Sequence, residues 1–265
     1  MRFTSIASGS SGNCTYIGSE TTHILIDAGV SKKRIEEGLN GLDLTLSDID
    51  AIFVTHEHSD HISALHTILK KFDIPIYATG GTIQGIKASD KKCEMTDSRF
   101  IKVNADEEVS VGDMRINPMT ISHDANEPCG YTIFVGPRKI GVATDLGCYD
   151  DYIVNRLSDC DALLLEANHD IRMLQTGPYP YHLKARILGD RGHLCNEKSG
   201  ELLSKLVNSK LQGVFLGHLS KDNNIPELAY EAVRVELQMH ESLRYNDGFP
   251  IMVAERSCLS PVINL

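Results

Sequence analysis

The chain has no tryptophan, no C-x-x-C pair and no apolar run approaching the length of a membrane span. A bilayer-crossing helix needs about twenty consecutive apolar residues, so none is expected. The opening stretch MRFTSIASGSSGN lacks the continuous apolar core of a secretory signal, and export is therefore not expected either. The seven cysteines are odd in number and scattered. They do not form a disulfide framework and read as buried small hydrophobes or free thiols in a reducing compartment. A cytoplasmic location is the expectation.

Positive charge is also scarce: 26 Lys and Arg stand against 36 Asp and Glu, a formal net charge of −10. That argues against indiscriminate binding of nucleic acid over the whole surface. A local phosphate site stays open, because bound divalent cations reverse the sign inside a cleft. What is present is ordinary for a globular protein, with 42% hydrophobic and 23% charged residues over 265 positions. No repeat, low-complexity tract or linker interrupts it, so one domain over residues 1–265 is expected.

Apolar runs bounded by Gly, Ser and Asn read as strands at RFTSIA, CTYIGS, HILIDAG, AIFVT and IPIYAT. Helices are expected near 31–40, from about Ile62 to Phe72 and from Thr82, followed by the charged connection KASDKKCEMTDSR. Strands dominate 100–143: FIKV, EEVSVGDMRINPM, GYTIFVG and KIGVAT. After the turn-rich DLGCYDD come the strand DALLLEAN, helices across about 168–208, the strand GVFLGH and the helix PELAYEAVRVELQM. Strand-rich halves interleaved with helices point to two sheets covered by helices, a four-layer α/β arrangement.

The densest chemistry lies in VTHEHSDHI, Val54 to Ile62. Alternate side chains of extended backbone share a side, so His56 and His58 can converge on one ion as the strand ends. Asp60 and His61 follow at the start of a helix, where the turn can aim them at a neighbouring position. The pattern is H-x-H-x-D-H, distinct from the H-E-x-x-H of helical zinc proteases. Imidazole and carboxylate together suit Zn, Mn or Fe. Four clustered residues cannot complete two sites, and three candidates for the remainder sit just past apolar strands: His123, Asp145 and His218.

THEHSDH, SHD, ATDLG and LGHLS resemble the successive metal motifs of the metallo-β-lactamase-fold hydrolases, and HILIDAG resembles that fold's opening motif. The resemblance spans about residues 1 to 255 and implies a four-layer αββα sandwich with a dinuclear site at one edge. It further implies that His56, His58 and His123 hold one divalent ion and Asp60, His61 and His218 the other. Asp145 would bridge both, and Asp27 would brace the metal loop without binding metal.

A dinuclear β-lactamase of this fold carries cysteine where this chain has Asp145. The interval from Asp145 to His218 is too short for the large inserted domain of RNA-processing relatives. Within it, LLLEANHD and RGHLCN resemble elements of tRNA 3′-processing phosphodiesterases. By that likeness Glu166 orients His193, which protonates the leaving oxygen, a role that phosphodiester cleavage requires. Leu194 and Cys195 stand where that group has hydroxyl residues, which weakens transfer of tRNA specificity. MRFTSIASGSSGNCTYI together with EANHD, YPYHLKARI and GHLCN looks like the YycJ/WalJ group of bacterial proteins. That likeness implies 5′-to-3′ exonuclease action on double-stranded DNA and a link to a cell-wall two-component system.

In the mechanism this implies, a hydroxide shared by the two ions attacks phosphorus in line, with Asp60 helping to orient it. Substrate contacts are expected from Ser10, Ser11 and Asn13 in the SGSSGN loop, from His169, and from Arg186 in a locally basic stretch with Arg172, Lys184 and Arg191. Tyr179 and Tyr181 could stack on bases. Two alternatives stay open: a hydrolase of the same fold acting on a thioester, lactone or small phosphodiester, and a non-catalytic regulator with structural metals.

Overall fold

β-Branched and aliphatic residues between Gly, Ser and Asn breaks produce the first strands, β1 (Arg2–Ala7), β2 (Cys14–Gly18) and β3 (His23–Ile26). The computed structural model describes residues 1–90, 97–239 and 248–265. Among the described residues the strands form two sheets of seven. By contacts the chain divides into two compact units, Met1–Thr120 with Ala125–Pro137 and Glu255–Leu265, and Ile121–Asp124 with Arg138–Ala254.

In the first unit β1, β2 and β3 pair antiparallel. The chain then switches to parallel pairing through β4 (Ala51–Phe53), β5 (Ile76–Ala78) and β6 (Phe100–Lys102). Parallel neighbours need crossovers, and helices provide them: α1 (Lys32–Asn40), then α2 (Ser59–Ile62) with α3 (Leu65–Leu69), then α4 (Gly80–Ser89). The Ser31 side chain caps α1 by accepting from the Arg34 N–H, and the helix buries Ile35 and Leu39 against Ile6, Leu25 and Ile52. The single helix expected over 62–72 is thus two short ones, and the second begins only at Leu65. Part of the charged connection after α4 lies outside the described residues.

The stretch expected as one strand over 107–119 is a hairpin, β7 (Val109–Val111) and β8 (Met114–Thr120), turning at Gly112 with φ +53°. β9 (Cys129–Val135) pairs antiparallel with β8.

The second unit is a parallel run of β10 (Arg138–Ala143), β11 (Ala162–Glu166), β12 (Gly213–Gly217) and β13 (Ile251–Val253). Its crossovers are α5 (Asp151–Leu157), then α6 (Ile171–Thr176), α7 (Tyr181–Leu188) and α8 (Asn196–Leu206), and finally α9 (Pro226–Met239). Every residue of β11 and β12 is buried, as expected of parallel strands covered on both faces. Back in the first unit, β14 (Ile263–Asn264) closes the chain against β1.

Candidate functional site

In the first unit the donors gather where β3 and β4 end. Asp27 follows β3 in the left-handed region at φ +63° and is buried. Its carboxylate accepts from the Thr55 N–H at 2.8 Å, from the Thr55 hydroxyl at 2.9 Å and from His61 Nδ1 at 2.7 Å. Because the Thr55 hydroxyl donates to Asp27, it can accept from His56 Nδ1, 3.0 Å away. Both buried imidazoles are thereby held at Nδ1 and keep a lone pair at Nε2. His56 Nε2 stands 3.0 Å from His58 Nδ1, and His61 Nε2 stands 3.5 Å from Asp60 Oδ2. Nitrogen lone pairs and a carboxylate brought this close suit a shared divalent cation.

Close backbone approach fixes this loop. The Gly29 N–H donates to the Asn13 carbonyl at 2.7 Å, and the Gly29 carbonyl accepts from the Ser63 hydroxyl. A Cβ at Gly29 would lie 1.6 Å from the Asp60 carbonyl oxygen, so only glycine fits there.

In the second unit the donors follow strand ends again. Asp145 comes two residues after β10 at φ +59°, and His218 directly after β12 at φ +54°. Left-handed backbone is uncommon for residues other than glycine and is least costly for Asp, Asn and His. Asp145 Oδ1 lies 3.2 Å from His218 Nε2 and 3.7 Å from His123 Nε2. His123 Nδ1 donates to the Gly192 carbonyl at 3.1 Å, leaving its Nε2 lone pair toward the acid. Burial holds His123 below the ordinary imidazole range, against the pull of Asp145. Asp145, Glu166, His193 and His218 each offer a ligand atom within 4.8 Å of one another.

Glu166, the last residue of β11, is fully buried. One carboxylate oxygen accepts from His193 Nδ1 at 2.7 Å, and the other from the Leu146 and Leu194 amides at 2.7 and 3.3 Å. Burial pulls the His193 pKa down, yet the Glu166 charge and hydrogen bond outweigh it and raise the group to about 9. This histidine is fixed by its Nδ1 side.

Two relatives share nearly the whole chain. The exodeoxyribonuclease YycJ of Bacillus anthracis is 37% identical over 90% of this chain and 89% of its own. The exodeoxyribonuclease WalJ of Streptococcus pneumoniae is 36% identical over 87% of this chain and 86% of its own. The model of the beta-lactamase superfamily domain matches residues 22–213. The chain belongs to the metallo-β-lactamase superfamily, in the YycJ/WalJ group. A crystal structure of the metallo-β-lactamase-fold protein YhfI from Bacillus subtilis aligns with TM-score 0.70 at 15% identity, covering 98% of both chains. The fold is accordingly the αββα sandwich of the superfamily.

The expected substrate residues fare differently in this superfamily member. Ser10 and Ser11 are exposed. Asn13 is buried, accepting from the Gly9 N–H and donating to the Asp60 carbonyl, so it ties the loop down. Arg186 forms a two-pronged pair with Asp124, Lys184 donates to the Gln175 and Gly177 carbonyls, and Arg191 holds the His123 carbonyl. The stretch read as a basic track for nucleic acid therefore spends three of these cations on local structure. Tyr179 donates to Asp222 at 2.8 Å, whereas Tyr181 is 86% exposed. His169 is buried beside Asn168.

Sequence reasoning missed a buried amide network. Asn168 donates to the His218 carbonyl, and Asn224 to the Ala167 and Asn168 carbonyls. Asn196 and Asn224 exchange hydrogen bonds with each other. Isolated asparagines read as turn formers, so no periodic signal marks these as supports for the site.

Proposed function

We propose that the protein is a metal-dependent exodeoxyribonuclease that removes nucleotides from the 5′ end of double-stranded DNA, residues 1–265 acting as one domain. The observation that carries this reading is His193 held through Nδ1 on buried Glu166, beside Asp145 and His218. It supplies what an alkoxide leaving group needs, and the group's relatives named exodeoxyribonucleases support the substrate class.

Two divalent ions, Zn or Mn with Fe also compatible, would be held by His56, His58 and His123 and by Asp60, His61 and His218, with Asp145 shared. Bound there, they would acidify water and neutralise charge on the phosphoryl oxygens. Asp60 orients the attacking water, and His193 gives its proton to the departing 3′ oxygen while Glu166 keeps the ring in place. The buried free thiols Cys14, Cys129 and Cys160 support a cytoplasmic location, and no described helix is long and apolar enough to cross a membrane. The likeness to the group also supports a functional link to a cell-wall two-component system.

The engagement of Lys184, Arg186 and Arg191 favours a second reading, a hydrolase of small phosphodiesters that need no extended basic track. Metal-replete protein incubated with 5′-phosphorylated duplex DNA labelled at either end separates the two. Mononucleotide release from the 5′ end, absent in His58→Ala, is the expected result. Intact DNA with both Zn and Mn overturns the exonuclease reading and leaves the small-substrate one.

A further inference from the structure

A cavity of about 500 Å³ opens in the second unit, with His193 in its wall and His169, Tyr149, Leu188, Lys198 and Lys205 among its lining. That volume falls in the range of small-molecule sites, roughly 300–1,000 Å³. His169 sets its chemistry. The Asn168 amide nitrogen donates to the His218 carbonyl at 2.9 Å, so the Asn168 oxygen is what faces His169 Nδ1 at 3.3 Å. An acceptor there requires the proton on Nδ1 and leaves Nε2 as a bare lone pair.

His169 is 1% exposed, and Nε2 is buried without a hydrogen-bond partner. The backbone that carries the ring is fixed, since the residue pairs with Cys195 and its carbonyl accepts from the Asn196 N–H. A buried acceptor left unmatched calls for a donor from elsewhere. Burial also keeps this imidazole neutral, with its pKa lowered to about 4.

The cationic side chains do not make the cavity an anion trap. Lys198 is paired with Glu201 at 2.7 Å, and Lys205 lies over the Tyr149 ring, 4.9 Å from its centre. A phosphate oxygen would be repelled by the His169 lone pair. The fitting occupant offers an N–H donor, a flat apolar body to lie against Tyr149 and Leu188, and an oxygen that can reach His193.

We infer that this cavity seats the terminal nucleotide as it departs, its base donating an N–H to His169 Nε2. The inference rests on the exonuclease reading. In that reaction water adds to phosphorus, the bond from phosphorus to the 3′ oxygen breaks, and the His193 proton passes to that oxygen. The freed group is the 5′ nucleotide, so it lies on the His193 side. Each of the four bases carries an N–H donor on its pairing edge, and the single N3–H of thymine is free for this contact only when the base is unpaired. A 5′ terminal thymine in a mismatched pair should therefore be cut faster than one in a matched pair.

The test is equilibrium binding of each deoxynucleoside 5′-monophosphate and of 2-deoxyribose 5-phosphate, beside the duplex digestion. The nucleotides should bind about tenfold tighter than the baseless phosphate. His169→Phe should erase that difference and His169→Gln, which keeps an acceptor, should restore part of it. Leu188→Trp, at a rim position 47% exposed, should block nucleotide binding without touching the buried network. Equal binding of nucleotide and sugar phosphate in the wild type, with DNA digestion intact, overturns the cavity assignment and spares the nuclease. Tight, His169-dependent nucleotide binding without any digestion supports the cavity and overturns the nuclease reading.

Discussion

Glu166 and His193 meet at 2.7 Å between Oε1 and Nδ1, with the carboxylate wholly buried and its other oxygen held by two backbone amides. A carboxylate so anchored fixes which edge of the imidazole is free. Glu166→Gln should lower kcat on DNA by about 10²–10⁴-fold, the usual yield of a placed acid, with KM and metal content unchanged. A bis-p-nitrophenyl phosphodiester should be spared, because its phenolate leaves without a proton. Steady-state kinetics on both substrates checks this, and equal losses would mark the pair as merely structural.

Asp27 gathers Thr55 and His61 on one carboxylate. Asp27→Ala should weaken metal affinity about 10- to 100-fold, as loss of an orienting partner does. It should also cost about 1–3 kcal/mol of stability, through the Thr55 N–H left unmatched in the interior. Zinc titration of chelator-treated protein and urea unfolding measure the two effects.

The pH dependence of stability should carry the mark of His169, whose pKa burial lowers to about 4. The unfolded chain binds this proton near pH 6.5 and the folded chain does not, so stability is complete above 6.5 and falls as pH drops toward 4. Between pH 7 and 5 the loss from this group should be about 2 kcal/mol. His169→Gln should flatten that slope in metal-free protein, measured as urea unfolding at several pH values.

Two glycines should respond differently to alanine. At Gly29 the new Cβ meets the Asp60 carbonyl at 1.6 Å, so the loop must move and about 3 kcal/mol or more should be lost. At Gly136 nothing lies within 4 Å, but φ is +54°, so the cost should be only the backbone term of about 1–2 kcal/mol. Denaturant midpoints compare them directly, and zinc binding should fail only at Gly29.

Much of this was legible because the site is built at the ends of buried strands. Val54 and Thr55 close an apolar run, so the alternation that marks β4 also brings His56 and His58 together. Likewise Glu166 ends β11 and His218 directly follows β12. What stayed hidden has no period. α5 follows a turn-rich stretch and buries only Ile153 and Leu157, too few to show a helical stripe. β13 and β14 are three and two residues long, and pairing with neighbours defines them more than their own composition. In the basic stretch at 168–195, charge counts carry no partners: Asp124, which engages Arg186, lies far away in sequence.

Asp27, Asp145 and His218 all turn left-handed just beyond their strands. The backbone therefore narrows the ligand alphabet before any ion arrives. Most residues placed at 145 or 218 would add about 1–2 kcal/mol of torsional cost, which a bound ion would have to offset. Oxygen and nitrogen donors from Asp, Asn and His escape most of that penalty, and a thiolate does not. Attempts to re-engineer the protein for softer metals should thus begin with the bends that follow β10 and β12, and only then exchange the side chains.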